Sequence, residues 1–235
     1  MLESFPAERV AVFAPHMDDE TIGCGGTLVK WASAGSEIAV IFMTDGRKGD
    51  HDLAALAPAA RTVREKELVG IRKKEAERAA EILGVKSLIF LDAEDSNLRS
   101  TESIRGKVRE VLARIRPDVV FLPFLLEEHA DHRATAEVVL DATTGGYRSF
   151  TCFSYEVWTP LFVNVLVDIS DVVKTKERAL LAYESQMKDK NLVRSSLGLN
   201  AYRSIVVDRN GDGFLEGFFE SSLEDLWELR AGLRS

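Results

Sequence analysis

A chain of 235 residues, 46% hydrophobic and 29% charged, has an ordinary globular composition and the length for one sizeable α/β domain. Its formal net charge of −8 argues against a surface built for polyphosphates, so nucleic acid is not an expected partner. Two cysteines, Cys24 and Cys152, are too few for a disulfide framework or a four-sulfur zinc site. No run of about 18 apolar residues marks a membrane span, and MLESFPAERVAVFAPH lacks the order of a signal peptide, so a cytoplasmic protein is expected.

The run RVAVFA, Arg9 to Ala14, is rich in β-formers and stopped by Pro15, and it predicts a buried strand. A helix is expected over Gly26 to Ala34, ended by Gly35, then a second strand over Glu37 to Met43. Arg61 to Leu83 predicts a long helix with Leu68, Ile71, Ala79, Ile82 and Leu83 on its apolar side, ended by Gly84. Ser87 to Leu91 is the third strand, Thr101 to Ile115 a helix, Val119 to Pro123 the fourth strand, and Arg133 to Leu140 a further helix. Strands apolar on both faces, alternating with helices, predict a Rossmann-like, doubly wound, mostly parallel sheet.

After Gly145 the alternation changes. Phe153 to Trp158 and Val163 to Val167 predict strands, Asp171 to Lys188 a helix, and Ser204 to Val207 with Phe214 to Phe219 a hairpin across DRNGDG. No Pro/Ser-rich linker intervenes. The expectation is one domain over residues 1–235, with a core at 9–145 and a C-terminal β extension at 146–235.

Of the four histidines, three stand in loops that directly follow predicted strands, and carboxylates accompany them. APHMDDETIGCGGT leaves strand one and PFLLEEHADHRA leaves strand four. In the commonest doubly wound order these strands are neighbours where the order reverses, which is where ligands bind. His16, Asp19 and His132 then form a two-histidine, one-carboxylate set with a fourth position open to water, the arrangement of a catalytic zinc; iron(II) fits the same donors. A catalytic zinc lowers the pKa of its water towards neutrality. Asp18 is left over as general base, His129 as the group that protonates or stabilises the developing oxyanion, and Asp131 as the carboxylate that orients an imidazole. His51, in GDHD, has no partner motif and reads as a surface residue. The glycines of GCGG lack dinucleotide-fingerprint spacing and read as a close approach to the metal loop at the start of the helix.

These segments carry a resemblance. PHMDDETIGCGGTL resembles the His-Pro-Asp-Asp-Glu signature of the LmbE-like (PIG-L) deacetylase family, and HADHRATAE resembles its His-x-Asp-His motif. TDGRKG, IRKKEAERAAEILGV and DISDVVKTKERALLAYESQ extend the likeness over most of the chain. It implies a zinc-dependent hydrolase that removes an N-acetyl group from an amino-sugar derivative, with His16, Asp19 and His132 on the metal, Asp18 as base and His129 as electrostatic partner. Arg72 resembles a family arginine that reaches substrate hydroxyls; its alternative is a solvated helix-face residue. Asp95, in the loop after strand three, is either a sugar-hydroxyl acceptor or a turn residue. The helix carrying Tyr183, Ser185 and Gln186 either closes a wall of the site or simply packs. Met17 stands where the family usually has proline, which implies a less rigid loop.

Two other classes compete. A phospho-receiver domain would use Asp18 and Asp19 to hold magnesium, yet it has no use for His16, His129 and His132 and is about half this length. A sugar- or nucleotide-binding module without chemistry would keep a pocket but not a complete base and metal set.

Overall fold

A computed structural model of the chain describes residues 6–147, 149–188, 190–206 and 212–234. The first half runs β1 (Arg9–Ala14), α1 (Asp19–Ser33), β2 (Glu37–Thr44), α2 (Pro58–Leu83), β3 (Ser87–Ala93), α3 (Glu102–Ile115), β4 (Val119–Pro123) and α4 (Ala130–Thr143). There follow β5 (Thr151–Tyr155), β6 (Val165–Asp168), α5 (Val173–Leu181), α6 (Glu184–Met187), α7 (Leu192–Arg203), β7 (Leu215–Ser222) and α8 (Leu223–Arg234). One seven-stranded sheet has the order β3-β2-β1-β4-β5-β7-β6. The first five strands in that order are parallel, and β7 is antiparallel to both β5 and β6.

The continuous apolar runs are explained by burial on both faces. In β1, Val10 and Val12 pack with α1, α2 and α5, while Ala11 and Phe13 pack into the second core with α3, α4 and α8. Successive strand side chains point to opposite faces, so a strand covered on both sides cannot alternate apolar with polar. The strand order reverses between β1 and β4, which opens the expected crevice at their carboxyl ends. Cys24 and Cys152 are buried and free. Among the described residues no helix is long and apolar enough to cross a membrane.

Several boundaries move, with reasons that matter for the site. α1 starts at Asp19, seven residues before the expected Gly26, with Asp19 and Glu20 in its first turn, where carboxylates complement the helix dipole. The glycines therefore lie inside the helix and do not flank the metal loop. A Cβ at Gly23 would stand 2.3 Å from the Tyr155 ring, and one at Gly26 2.7 Å from Ile169, so their absence lets α1 sit against β5 and the chain after β6. α4 starts at Ala130, with His129 as its N-cap, which puts His132 in the first turn.

The predicted helix from Asp171 to Lys188 is two helices broken at Ala182–Tyr183. Tyr183 leaves helical geometry at ψ 56° and its hydroxyl donates to Glu20 Oε1 at 2.5 Å. The predicted hairpin is not formed: Ser204–Val206 is a turn of 3-10 helix, and β7 pairs with β5 and β6. Asp208 to Gly211 of the expected turn lie outside the described residues. The helices α7 and α8 were not anticipated.

Candidate active site

The loop between β1 and α1 is pinned from several sides. Thr44, at the end of β2, donates its amide and hydroxyl to the Pro15 carbonyl at 3.0 and 2.8 Å. Asp18 sits at φ 141°, a sparsely populated conformation for a residue with a side chain, and its amide donates to Glu20 Oε2 at 3.2 Å. Arg72 is 2% exposed, which excludes the solvated helix-face reading. Its guanidinium donates to the Met17 carbonyl at 2.7 Å and the Gly46 carbonyl at 3.2 Å, and it reaches Asp18 Oδ1 at 3.4 Å. Met17 itself is fully buried in the core. Arg72 and that burial thus hold the loop that a proline would have stiffened.

At the crevice, Asp19 Oδ2 lies 3.1 Å from His16 Nδ1 and 3.2 Å from His132 Nε2, and it accepts the His16 amide at 2.9 Å. His16 Nε2 faces the other way, 3.2 Å from Asp131 Oδ2 and 3.3 Å from Asp95 Oδ1. The imidazole that Asp131 contacts is that of His16. Asp131 is fully buried and anchored by the amides of Ser96 and Leu98 at 2.7 and 3.1 Å. His129 accepts the Asp131 amide on Nδ1 at 3.2 Å, and its ring stands 4.9 Å from that of His16 and 4.8 Å from that of His132.

Among the described residues, two groups of potential ligand atoms lie within 4.8 Å of one another: His16, His129 and His132, and His16, Asp95 and Asp131. The sequence-predicted trio is drawn together through Asp19. His132 is fully buried, and neither of its ring nitrogens makes a hydrogen bond. Buried nitrogens without hydrogen bonds, each facing a carboxylate oxygen, are a donor set suited to a cation.

Burial would push the His132 pKa down, yet Asp19 and Glu127 raise it to about 9. For His16, burial is likewise outweighed by Asp131, Asp19 and Asp95, which hold its pKa well above the ordinary value. Asp19 is pulled well below the usual carboxylate range by His132 and His16 despite its burial. Burial pushes Asp18 up to about 7, against the pull of Arg72. Burial and the charges of His16 and His132 lower His129. The two neighbouring aspartates thus sit in opposite environments.

A cavity of about 220 Å³ opens over this cluster, lined among others by Asp18, Arg72, Asp95, His129, Lys48 and Gln186. Asp95 is 4% exposed and accepts the Lys48 amide at 2.8 Å and the Ser96 hydroxyl at 3.1 Å, so part of its capacity is used in holding loops. Gln186 reaches the cavity, whereas Ser185 donates to Glu75 and Tyr183 to Glu20. His51 is exposed, as expected of a surface residue, but it stands at the rim. Glu127 was not singled out from the sequence. It is fully buried, 3.6 Å from His132 Nδ1, and accepts the amides of Val157, Trp158 and Thr159 at 2.8, 2.9 and 3.1 Å. Its position two residues before the His-Ala-Asp-His run was the only available signal.

Sheet order and cluster together define an α/β protein with a His/Asp cluster that could hold a cation at the carboxyl ends of parallel strands. The profile of the PIG-L family, GlcNAc-PI de-N-acetylase, matches residues 11–143, and the chain belongs to this family. It is 32% identical over 201 residues to a diacetylchitobiose deacetylase of Thermococcus kodakarensis, covering 77% of this chain and 71% of that protein. The structure of N,N'-diacetylchitobiose deacetylase from Pyrococcus horikoshii is similar with a TM-score of 0.76 at 28% identity, over 94% of this chain and 87% of that one. The 4-carboxy-2-hydroxymuconate hydratase GalB of Pseudomonas putida KT2440 reaches 0.74 at 21% identity, over 90% and 95% of the two chains. That last likeness is one of fold alone, and fold does not set the reaction.

Proposed function

We propose that the chain is a metal-dependent N-deacetylase of an amino-sugar derivative, acting as a single domain over residues 1–235. The observation that carries this reading is Asp19 Oδ2 set 3.1 and 3.2 Å from nitrogens of His16 and His132, in a PIG-L chain similar to a diacetylchitobiose deacetylase. A divalent cation held by His16, Asp19 and His132, zinc in this reading with iron(II) accepted by the same donors, supplies Lewis acidity to the amide and to water.

The chain's own groups do the rest. Asp18, in the cavity wall, takes the proton of the attacking water. His129 stabilises the carbonyl oxygen as it becomes negative. Water's oxygen bonds to the acyl carbon, the C–N bond breaks, and the proton leaves with the amine, giving acetate and a free amino sugar. Asp131 holds the His16 ring in place. Arg72 and Asp95 face the sugar hydroxyls from the polar side of the cavity.

His132→Ala is expected to lose both bound metal, measured by elemental analysis, and acetate release from N-acetylglucosamine derivatives. Retention of both overturns the site. Faster release from acetyl-lysine peptides than from the sugars overturns the substrate assignment. Glu127→Ala removes the carboxylate beside His132 Nδ1 and leaves Asp19 beside Nε2. It should weaken metal affinity by about 10- to 100-fold, read by competition with a chelator.

A further inference from the structure

The catalytic cavity adjoins a second one of about 500 Å³, and the two share Ile22, Trp158, Lys190 and Leu192 as lining. Their walls come from opposite sides of the crevice. Lys48, Gly49, Asp95 and Ser96 follow β2 and β3, on one side of β1 and β4 in the sheet. Val157, Trp158 and Pro160 follow β5, on the other side, and α7 packs against β7 there. The His/Asp cluster lies between, at β1 and β4.

The second cavity offers a ligand limited hydrogen bonding, because four of its polar residues, Glu156, Asn191, Ser196 and Asn200, are already engaged. Ser196 donates to the Ile22 carbonyl at 3.2 Å. Asn200 donates to the Leu215 carbonyl at 3.1 Å and accepts from Lys176 at 2.9 Å. Glu156 accepts from Arg203 and from the Leu161 amide, and Asn191 accepts the Arg194 amide at 2.9 Å. What remains is the apolar surface of Ile22, Val157, Pro160, Leu192 and Leu199. The wall is also built rather than loose. Glu127 collects three amides of the loop that carries Trp158, and the Lys190 ammonium lies 4.0 Å over the Trp158 ring at the junction.

We infer that this second cavity receives the acyl chain of the substrate, so that the enzyme removes N-acyl groups longer than acetyl from its amino sugar. The inference rests on the proposed deacetylase reading. With hydroxyls on the β2–β3 side and the amide at the cation cluster, the two substituents of the carbonyl carbon point opposite ways. The sugar nitrogen lies towards the polar wall, and the acyl chain lies towards Ile22 and Leu192. An apolar chain there is removed from water, which strengthens binding with each methylene.

The test is kcat/KM for glucosamine carrying N-acetyl, N-butyryl, N-hexanoyl and N-octanoyl groups, read as release of free amine by the purified metal-loaded protein. The expected result is a rise of about two- to fourfold per added methylene until the cavity is filled. Leu199→Trp, which narrows the cavity, should bring the octanoyl-to-acetyl ratio down towards one. A flat or falling series with N-acetyl turnover intact overturns the inference and leaves the deacetylase reading standing. So does a preference for the octyl glycoside of N-acetylglucosamine over the N-acyl series, which would give the cavity to the carrier. No turnover of any N-acyl sugar overturns the deacetylase reading and this inference with it.

Discussion

Asp18→Asn is expected to keep its metal and to lose about a hundredfold to ten-thousandfold in the rate of acetate release, the scale of a general base. The two neighbouring aspartates are not interchangeable. Asp19 Oδ2 accepts the His16 amide and lies between the two imidazoles that share the proposed cation with it, so its place is that of a ligand and not of a base. Asp18 lies in the cavity wall with Arg72 as its charged partner, and its burial pushes its pKa up to about 7. The amide of asparagine keeps the shape and the contact with the loop but cannot accept the water's proton. Metal content and rate must be measured on the same preparation. Loss of the metal would make Asp18 a ligand, and an unchanged rate would place the base elsewhere.

Lys176→Met is expected to destabilise the fold by about 3–5 kcal/mol, the cost of leaving one member of a buried ion pair alone. Lys176 and Glu216 are both fully buried and 2.8 Å apart. The ammonium also donates to the Ile22 carbonyl at 2.8 Å and to Asn200 at 2.9 Å. Glu216 accepts the amides of Gly26 and Thr27 at 2.8 and 2.7 Å and the Thr27 hydroxyl at 2.6 Å. One network thus joins α1, α5, α7 and β7. Methionine matches the stem but leaves the Glu216 charge without its counter-ion. Urea unfolding measures the loss, with Lys174→Met as comparison. Lys174 is 86% exposed on the same helix, and its replacement should stay within about 0.5 kcal/mol. A loss for Lys176→Met no larger than that would show the pair to be dispensable.

The parallel half of the sheet and the location of the site were legible in the residues. RVAVFA after Arg9, and all of VVFLP, are apolar because both faces of β1 and β4 are covered, and their boundaries match the strands found. His16, Asp18, Asp19, His129 and His132 follow those strands directly, so strand order alone brings them to one crevice. The C-terminal part was less legible. β7 lies between β5 and β6, and its pairing partners are distant in sequence, so the local turn DRNGDG pointed to a hairpin that does not form. GCGG appeared to delay α1, because helix propensity penalises glycine. The cost is offset by the close approach of Tyr155 and Ile169, a contact between segments more than a hundred residues apart.

Local pattern, then, determined which segments are strands and which loops carry imidazoles, since periodicity and strand ends are properties of short windows. Only the tertiary structure decided which side chains lose their water. Arg72 sits in a charge-rich helix yet is 2% exposed, because its guanidinium can satisfy the Met17 and Gly46 carbonyls of two separate loops. Lys176 and Glu216, unremarkable in their own segments, are buried because each meets its partner and hydrogen bonds from other elements. Glu127 joins His132 to the loop bearing Trp158 for the same reason. Burial of a charge is favourable only when groups from other elements arrive to hold it, and no window of sequence contains them.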